Sequence, residues 1–166
     1  MTCLFELSIA LLITLLNGFF VMAEYSLVRI RKSRLDELIR QGKSRANTVL
    51  KMSEKLDTYL SATQLGLTAS SLLLGWFGGP LLAEMFRGMF GVSAGTWYDH
   101  SLVFACAFLI IVFLHVVFGE LVPRTIALGK VEQVAMAVAY PLVFFITFYI
   151  RWLCFLIESP MLYCAF

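Results

Sequence analysis

Four ionisable side chains stand inside otherwise apolar stretches of this chain: Glu24, His115, Glu120 and Arg151. An ionisable group within a membrane span costs about 3 kcal/mol on insertion scales, so such residues mark where function is to be sought. Glu120 lies in the run Gly119-Glu120-Leu121-Val122-Pro123-Arg124. Proline has no N–H to donate to the carbonyl four residues back, here that of Gly119, so a helix is loosened beside the carboxylate. A carboxylate next to a freed carbonyl suits a hard cation, and Mg²⁺ takes about six oxygens at roughly 2.0–2.1 Å. The same residues also allow a plainer reading, a Glu120–Arg124 ion pair that finishes the helix. His115 is five positions before Glu120, about 140° away around an ideal α-helix. The two are therefore not expected to act together, and His115 is expected to hydrogen-bond another helix.

Further polar groups line two other stretches. Ser61, Gln64, Thr68, Ser71 and Gly75 step by three and four, with Gly66 and Ser70 beside them. Small and hydroxyl residues at this spacing let helices pack closely in lipid, and the same face could line a pathway. Thr14, Asn17, Val21 and Glu24 share a second helical face, and Glu24 is placed to sit at the membrane interface or pair with Arg29. The cysteines Cys3, Cys106, Cys154 and Cys164 have no metal-ligand spacing and read as apolar filler. No nucleophile–base pair and no His/Cys metal cluster is apparent, so no enzyme chemistry is expected.

The elements that must hold these residues follow from composition. Of the 166 residues 60% are hydrophobic and 14% charged, and the mean hydropathy is +0.86. Soluble domains are roughly 45–50% apolar and about 25% charged. A water-soluble fold of this size cannot bury so much apolar surface, which excludes a soluble enzyme, a secreted disulfide scaffold and a disordered chain. A net charge of +2 is too small to imply nucleic acid. Spans are expected at about 4–28, 59–77 and 101–123, near the roughly 20 residues a helix needs to cross the hydrocarbon. Leu102–Phe118 lacks the alternation of a barrel strand, so helices are expected. The first stretch has Glu6 where a signal peptide would carry basic residues, and no cleavage site follows. Nine of the 13 Lys and Arg residues fall in 29–57, against Arg87 alone in 78–100. The positive-inside rule then puts 29–57 in the cytoplasm and the N-terminus outside. Leu35, Leu38 and Ile39, then Ala46, Val49, Leu50 and Met52, repeat at helical spacing on either side of Gly42. They predict two juxtamembrane amphipathic helices over about 33–57, drawn to anionic headgroups by their basic faces. A last apolar stretch, about 134–157, carries Pro141 and Arg151 and reads either as a fourth span or as a belt bent along the inner surface.

Three ordered motifs carry a family resemblance over nearly the whole chain. Asn17-Gly18-Phe19-Phe20-Val21-Met22-Ala23-Glu24-Tyr25-Ser26-Leu27-Val28 resembles the first-span signature of the CNNM/CorC family, the DUF21 transmembrane domain. Tyr59-Leu60-Ser61-Ala62-Thr63-Gln64-Leu65-Gly66-Leu67-Thr68, followed by Leu74-Gly75-Trp76, resembles the second, in its bacterial form. Phe118-Gly119-Glu120-Leu121-Val122-Pro123-Arg124-Thr125-Ile126-Ala127-Leu128 resembles the third, which usually has Lys where Arg124 stands. The resemblance implies an all-α membrane protein: a homodimer of three-span protomers in the bacterial inner membrane, with juxtamembrane helices and the 134–157 segment as a belt. It implies a Mg²⁺ pathway, most simply for efflux, coupled in some members to Na⁺. It further implies cytoplasmic CBS domains and a small CorC-type domain, neither of which lies within these residues. By the motifs, Glu120 is the ion carboxylate, Gly66 offers a carbonyl, and Ser70 or Ser71 a hydroxyl. Pro123, Gly119, Glu24, Asn17, Gln64, Thr68 and Arg124 are structural or gating residues. Many members have Ser where this chain has Ala23, and Asn where it has Leu67 and Ser71, so water would complete the ion's shell. Two alternatives stay open: export of a polyamine or other organic cation, and a non-transporting anchor or sensor for cytoplasmic domains.

Overall fold

The computed structural model describes residues 2–90 and 97–157, with side chains described over 7–78, 105–106 and 108–149. Arg87, Cys3, Arg151 and Cys154 lie outside the described side chains, and Cys164 outside the described residues altogether. Among the described residues every element is helical: α1 (Thr2–Arg29), α2 (Lys32–Arg40), α3 (Ser44–Glu54), α4 (Leu56–Phe90), α5 (Trp97–Leu114), a π segment (His115–Leu121), α6 (Val122–Gly129) and α7 (Val131–Ile157).

Leu7–Arg29, Phe108–Gly129 and Val131–Tyr149 are each long and apolar enough to cross a membrane. The stretch 59–77, expected as the second span, lies inside the 35-residue α4, which among the described residues is not one of these three. Its serines, threonines, glutamine and glycines make it the least apolar of the four long helices. Pro141 lies inside α7 without ending it. The helix that carries the third expected span begins at Trp97, and the stretch is a composite of α5, the π segment and α6.

The contacts divide the chain into two units. One holds α1 up to Val21, α4 from Thr63, α5, the π segment and α6 up to Ile126; the other holds the rest of α1, α2, α3, the start of α4, the end of α6 and α7.

In the second unit, α2 and α3 bury the apolar stripes that their spacing sets. Leu35 and Leu38 are buried on α2, and Ala46, Val49 and Met52 on α3; α3 packs on both α2 and α7. Gly42 separates the two helices. Its φ is +81°, its N–H donates to Ile39 O at 2.9 Å, and Lys43 N–H donates to Leu38 O at 3.1 Å. This is a Schellman closure, which calls for a residue without a Cβ. A Cβ there would meet nothing within 4 Å, so the cost of Gly42→Ala is conformational alone. The variant is expected to lose about 1 kcal/mol, read as a lower unfolding midpoint in detergent. Arg34 ties α2 to α7: its Nε donates to Glu132 Oε1 at 2.6 Å, and its Nη1 to Glu37. The bond to Glu132, and then that to Glu37, hold the guanidinium above its ordinary pKa.

Candidate functional site

The first unit places most of the expected site residues. On α1 the buried positions of this unit are Ile13, Asn17, Gly18, Phe20 and Val21. On α4 the buried face is Thr63, Gly66, Ser70, Leu74 and Gly78. The face singled out by spacing, Gln64, Thr68, Ser71 and Gly75, is exposed in the protomer. Small residues at three- and four-residue spacing do pack the helix, but they are the neighbouring set. Thr63 and Phe20 are not among the site residues that the motifs imply. Their signal is the 63-66-70-74-78 stripe and the aromatic needed to fill the hollow at its glycine.

Glycines set the close approaches. A Cβ on Gly66 would fall 2.6 Å from Cζ of Phe20, and one on Gly18 2.9 Å from Cγ of Pro123. Phe20 is 1% exposed, so its ring has little room to retreat. Gly66→Ala is expected to destabilise the protein by about 2 kcal/mol through overpacking. Gly75→Ala, with open space around it, is expected to be neutral or to stabilise by up to about 1 kcal/mol. Thermal unfolding of the two variants in one detergent checks the contrast.

Three hydroxyls of the long helices turn their hydrogens back onto their own helix. Ser70 donates to Gly66 O at 2.8 Å, Thr68 to Gln64 O at 2.9 Å and Thr14 to Ala10 O at 2.9 Å. Such a hydroxyl still presents oxygen lone pairs to a cation. Ser70 and Gly66, two of the expected ligands, are thus bonded to each other. Ser71, the third, lies 3.2 Å from His115 Nε2, which gives His115 its partner on another helix.

The π segment alters the reading of Glu120. In a π-helix the backbone bonds run between residues five apart; Val122 N–H accordingly bonds Val117 O. His115 and Glu120 therefore come to one side of the helix instead of about 140° apart, and the two are within electrostatic reach. The expectation that they are separate rested on α-helical phase and is corrected by the extra residue per turn. Glu120 is exposed in the protomer.

The Gly119 carbonyl has a partner. Pro123 gives it no N–H, and Asn17 Nδ2 donates to it at 2.9 Å. Asn17 is 3% exposed. A buried carbonyl without a donor is costly, and the amide from α1 meets that need. Asn17 Oδ1 and His115 Nδ1 are buried without a protein hydrogen-bond partner among the described residues. Both side chains border Gly119, where a Cβ would sit 3.0 Å from His115 Nδ1 and 3.3 Å from Asn17 Nδ2. Asn17, Gly119, Pro123, His115 and Ser71 thus form one polar joint among α1, α4 and the third span. Glu24 is half-buried in the second unit, and Arg124 is exposed. Among the described residues no three His, Cys, Asp or Glu gather as a resident metal centre.

An all-helical membrane domain with a proline-marked π segment in a span is the class this architecture defines. The chain matches the cyclin M transmembrane N-terminal domain over residues 7–159, and it belongs to that family, CNNM. It is 43% identical to the UPF0053 protein YhdP of Bacillus subtilis over 148 residues, 87% of this chain and 33% of YhdP. Against YugS of the same organism it is 41% identical over 131 residues, 78% of this chain and 30% of YugS. Against YhdT it is 40% identical over 151 residues, 90% of this chain and 33% of YhdT. The chain spans about a third of the length of these relatives.

Proposed function

We propose that this domain carries divalent cations across the inner membrane, with Mg²⁺ as the transported ion and efflux as its direction. One observation carries the reading. Glu120 is the sole acidic residue of the candidate span Phe108–Gly129, and it is exposed in the protomer. A carboxylate at membrane depth is costly unless an ion, water or a second chain meets it. A divalent ion passing Glu120 keeps it charged and is itself neutralised in part.

The remaining oxygens come from α4. Ser70 and Ser71 offer hydroxyl lone pairs and Gly66 its carbonyl, and water fills the rest of an octahedral shell, since Mg²⁺ gives up its water reluctantly. Movement of α4 against the π segment alternates access. A second copy closes the face that leaves Glu120 exposed, giving a homodimer. The basic 29–57 segment faces the cytoplasm, and CBS-type domains on a longer chain regulate the pathway. Na⁺ is the coupling ion, with Glu24 as the carboxylate that serves it.

The test is Mg²⁺ flux into proteoliposomes holding the purified chain, read with an entrapped fluorescent indicator, beside Mg²⁺-dependent thermal stabilisation in detergent. Saturable flux that putrescine does not inhibit is expected. Absence of both flux and stabilisation would refute the reading, and putrescine competition would point to an organic cation.

A further inference from the structure

We propose that the cleft between the start of α3 and the first turns of α7 is a binding site for an anionic phospholipid, its phosphate held by Lys43, Ser44 and Arg45. The cleft has a volume of about 500 Å³ and is lined by Lys43, Ser44, Arg45, Gln133, Met136 and Ala137, all in the second unit. One wall is cationic and hydrogen-bonding. The other turns apolar at Met136 and Ala137.

Charge selects the headgroup. Lys43 and Arg45 are exposed and in no ion pair among the described residues; Glu132, beside the cleft on α7, is hydrogen-bonded by Arg34 and lies in the weaker field of Lys43. The Arg45 guanidinium lies 5.7 Å from the centroid of the Tyr140 ring, one turn further along α7. A cation over a tyrosine face is held without being neutralised, so its N–H groups still reach a phosphate. Lys, Arg, Ser and Gln together supply the donors that a phosphate diester accepts.

Depth selects a lipid over a soluble phosphate. Gln133, Met136 and Ala137 occupy the first two turns of the candidate span Val131–Tyr149, which is headgroup level, and tyrosines are enriched at that level. The apolar wall continues into the span, as a glycerol backbone and the first acyl carbons require. A free phosphate ester has no use for it.

The test is native mass spectrometry of the chain released from phosphatidylcholine nanodiscs containing a tenth phosphatidylglycerol. The wild type is expected to retain phosphatidylglycerol at one saturable site. Lys43→Gln with Arg45→Gln is expected to lower its retention about 30-fold, at the usual worth of a juxtamembrane cation. The charge-matched control Arg40→Gln with Lys51→Gln is expected to retain it. Ala137→Trp, which fills the apolar wall and leaves every charge, is expected to weaken it as well. Equal loss in both charge variants would mean unspecific attraction and overturn the site. Displacement by soluble glycerol 3-phosphate at equal concentration would overturn the lipid. Each outcome is independent of Mg²⁺ flux.

Discussion

Glu120→Gln is expected to lower Mg²⁺ flux by at least about 100-fold while leaving the folded protein intact. Loss of an outer-shell partner alone costs about 10–100-fold in metal affinity, and removing the charged ligand that we propose Glu120 to be should cost more. Because Glu120 is exposed in the protomer, the change should move stability by less than about 0.5 kcal/mol. Glu120→Asp keeps the charge on a shorter arm and should fall between the two. Flux assays beside thermal unfolding separate transport from folding. Wild-type flux in Glu120→Gln would show that the ion path runs elsewhere.

The second large effect concerns the joint behind that carboxylate. Asn17→Leu removes the donor to Gly119 O, and Pro123 has no N–H to take its place. The orphaned carbonyl should destabilise the protein by about 2 kcal/mol, measured by unfolding in a mild detergent. Pro123→Ala restores a backbone N–H one helical turn away. In that background the cost of Asn17→Leu should drop by about 1 kcal/mol, a coupling that a double-mutant cycle reads directly. Strict additivity would mean that Asn17 acts by shape alone.

Much of the fold could be read from the chain because lipid makes uniform demands. Runs such as Leu102–Phe118 can only be helices, and Gly42 between two apolar stripes can only be a stop. Pro123 flagged the place where the third span departs from α geometry, but not the nature of the departure. A π segment inserts one residue into a run whose few polar groups, His115 and Glu120, do not fix a helical phase, so hydropathy carries no trace of the change. The site was legible in part. Glu120 stands out by type, and the motif resemblance adds Gly66, Ser70 and Ser71, but neither tells which side of α4 packs inward. That was decided by Phe20, whose ring fills the hollow left by Gly66. Nor did the sequence pair Asn17 with Gly119, since their 102-residue separation is closed only by the packing of α1 on the third span.

The surplus residue in His115–Leu121 also bears on how insertions and deletions are tolerated. Deleting one amino acid from this stretch lets it rewind at 3.6 residues per turn, keeping everything on either side in its own pocket. The same deletion in Leu7–Val21 has no such slack to draw upon and rotates the flanking segment by about 100°. The third span therefore holds a reserve of length, and shortening it there tests whether the proposed ion path needs the wide turn or merely lives beside it.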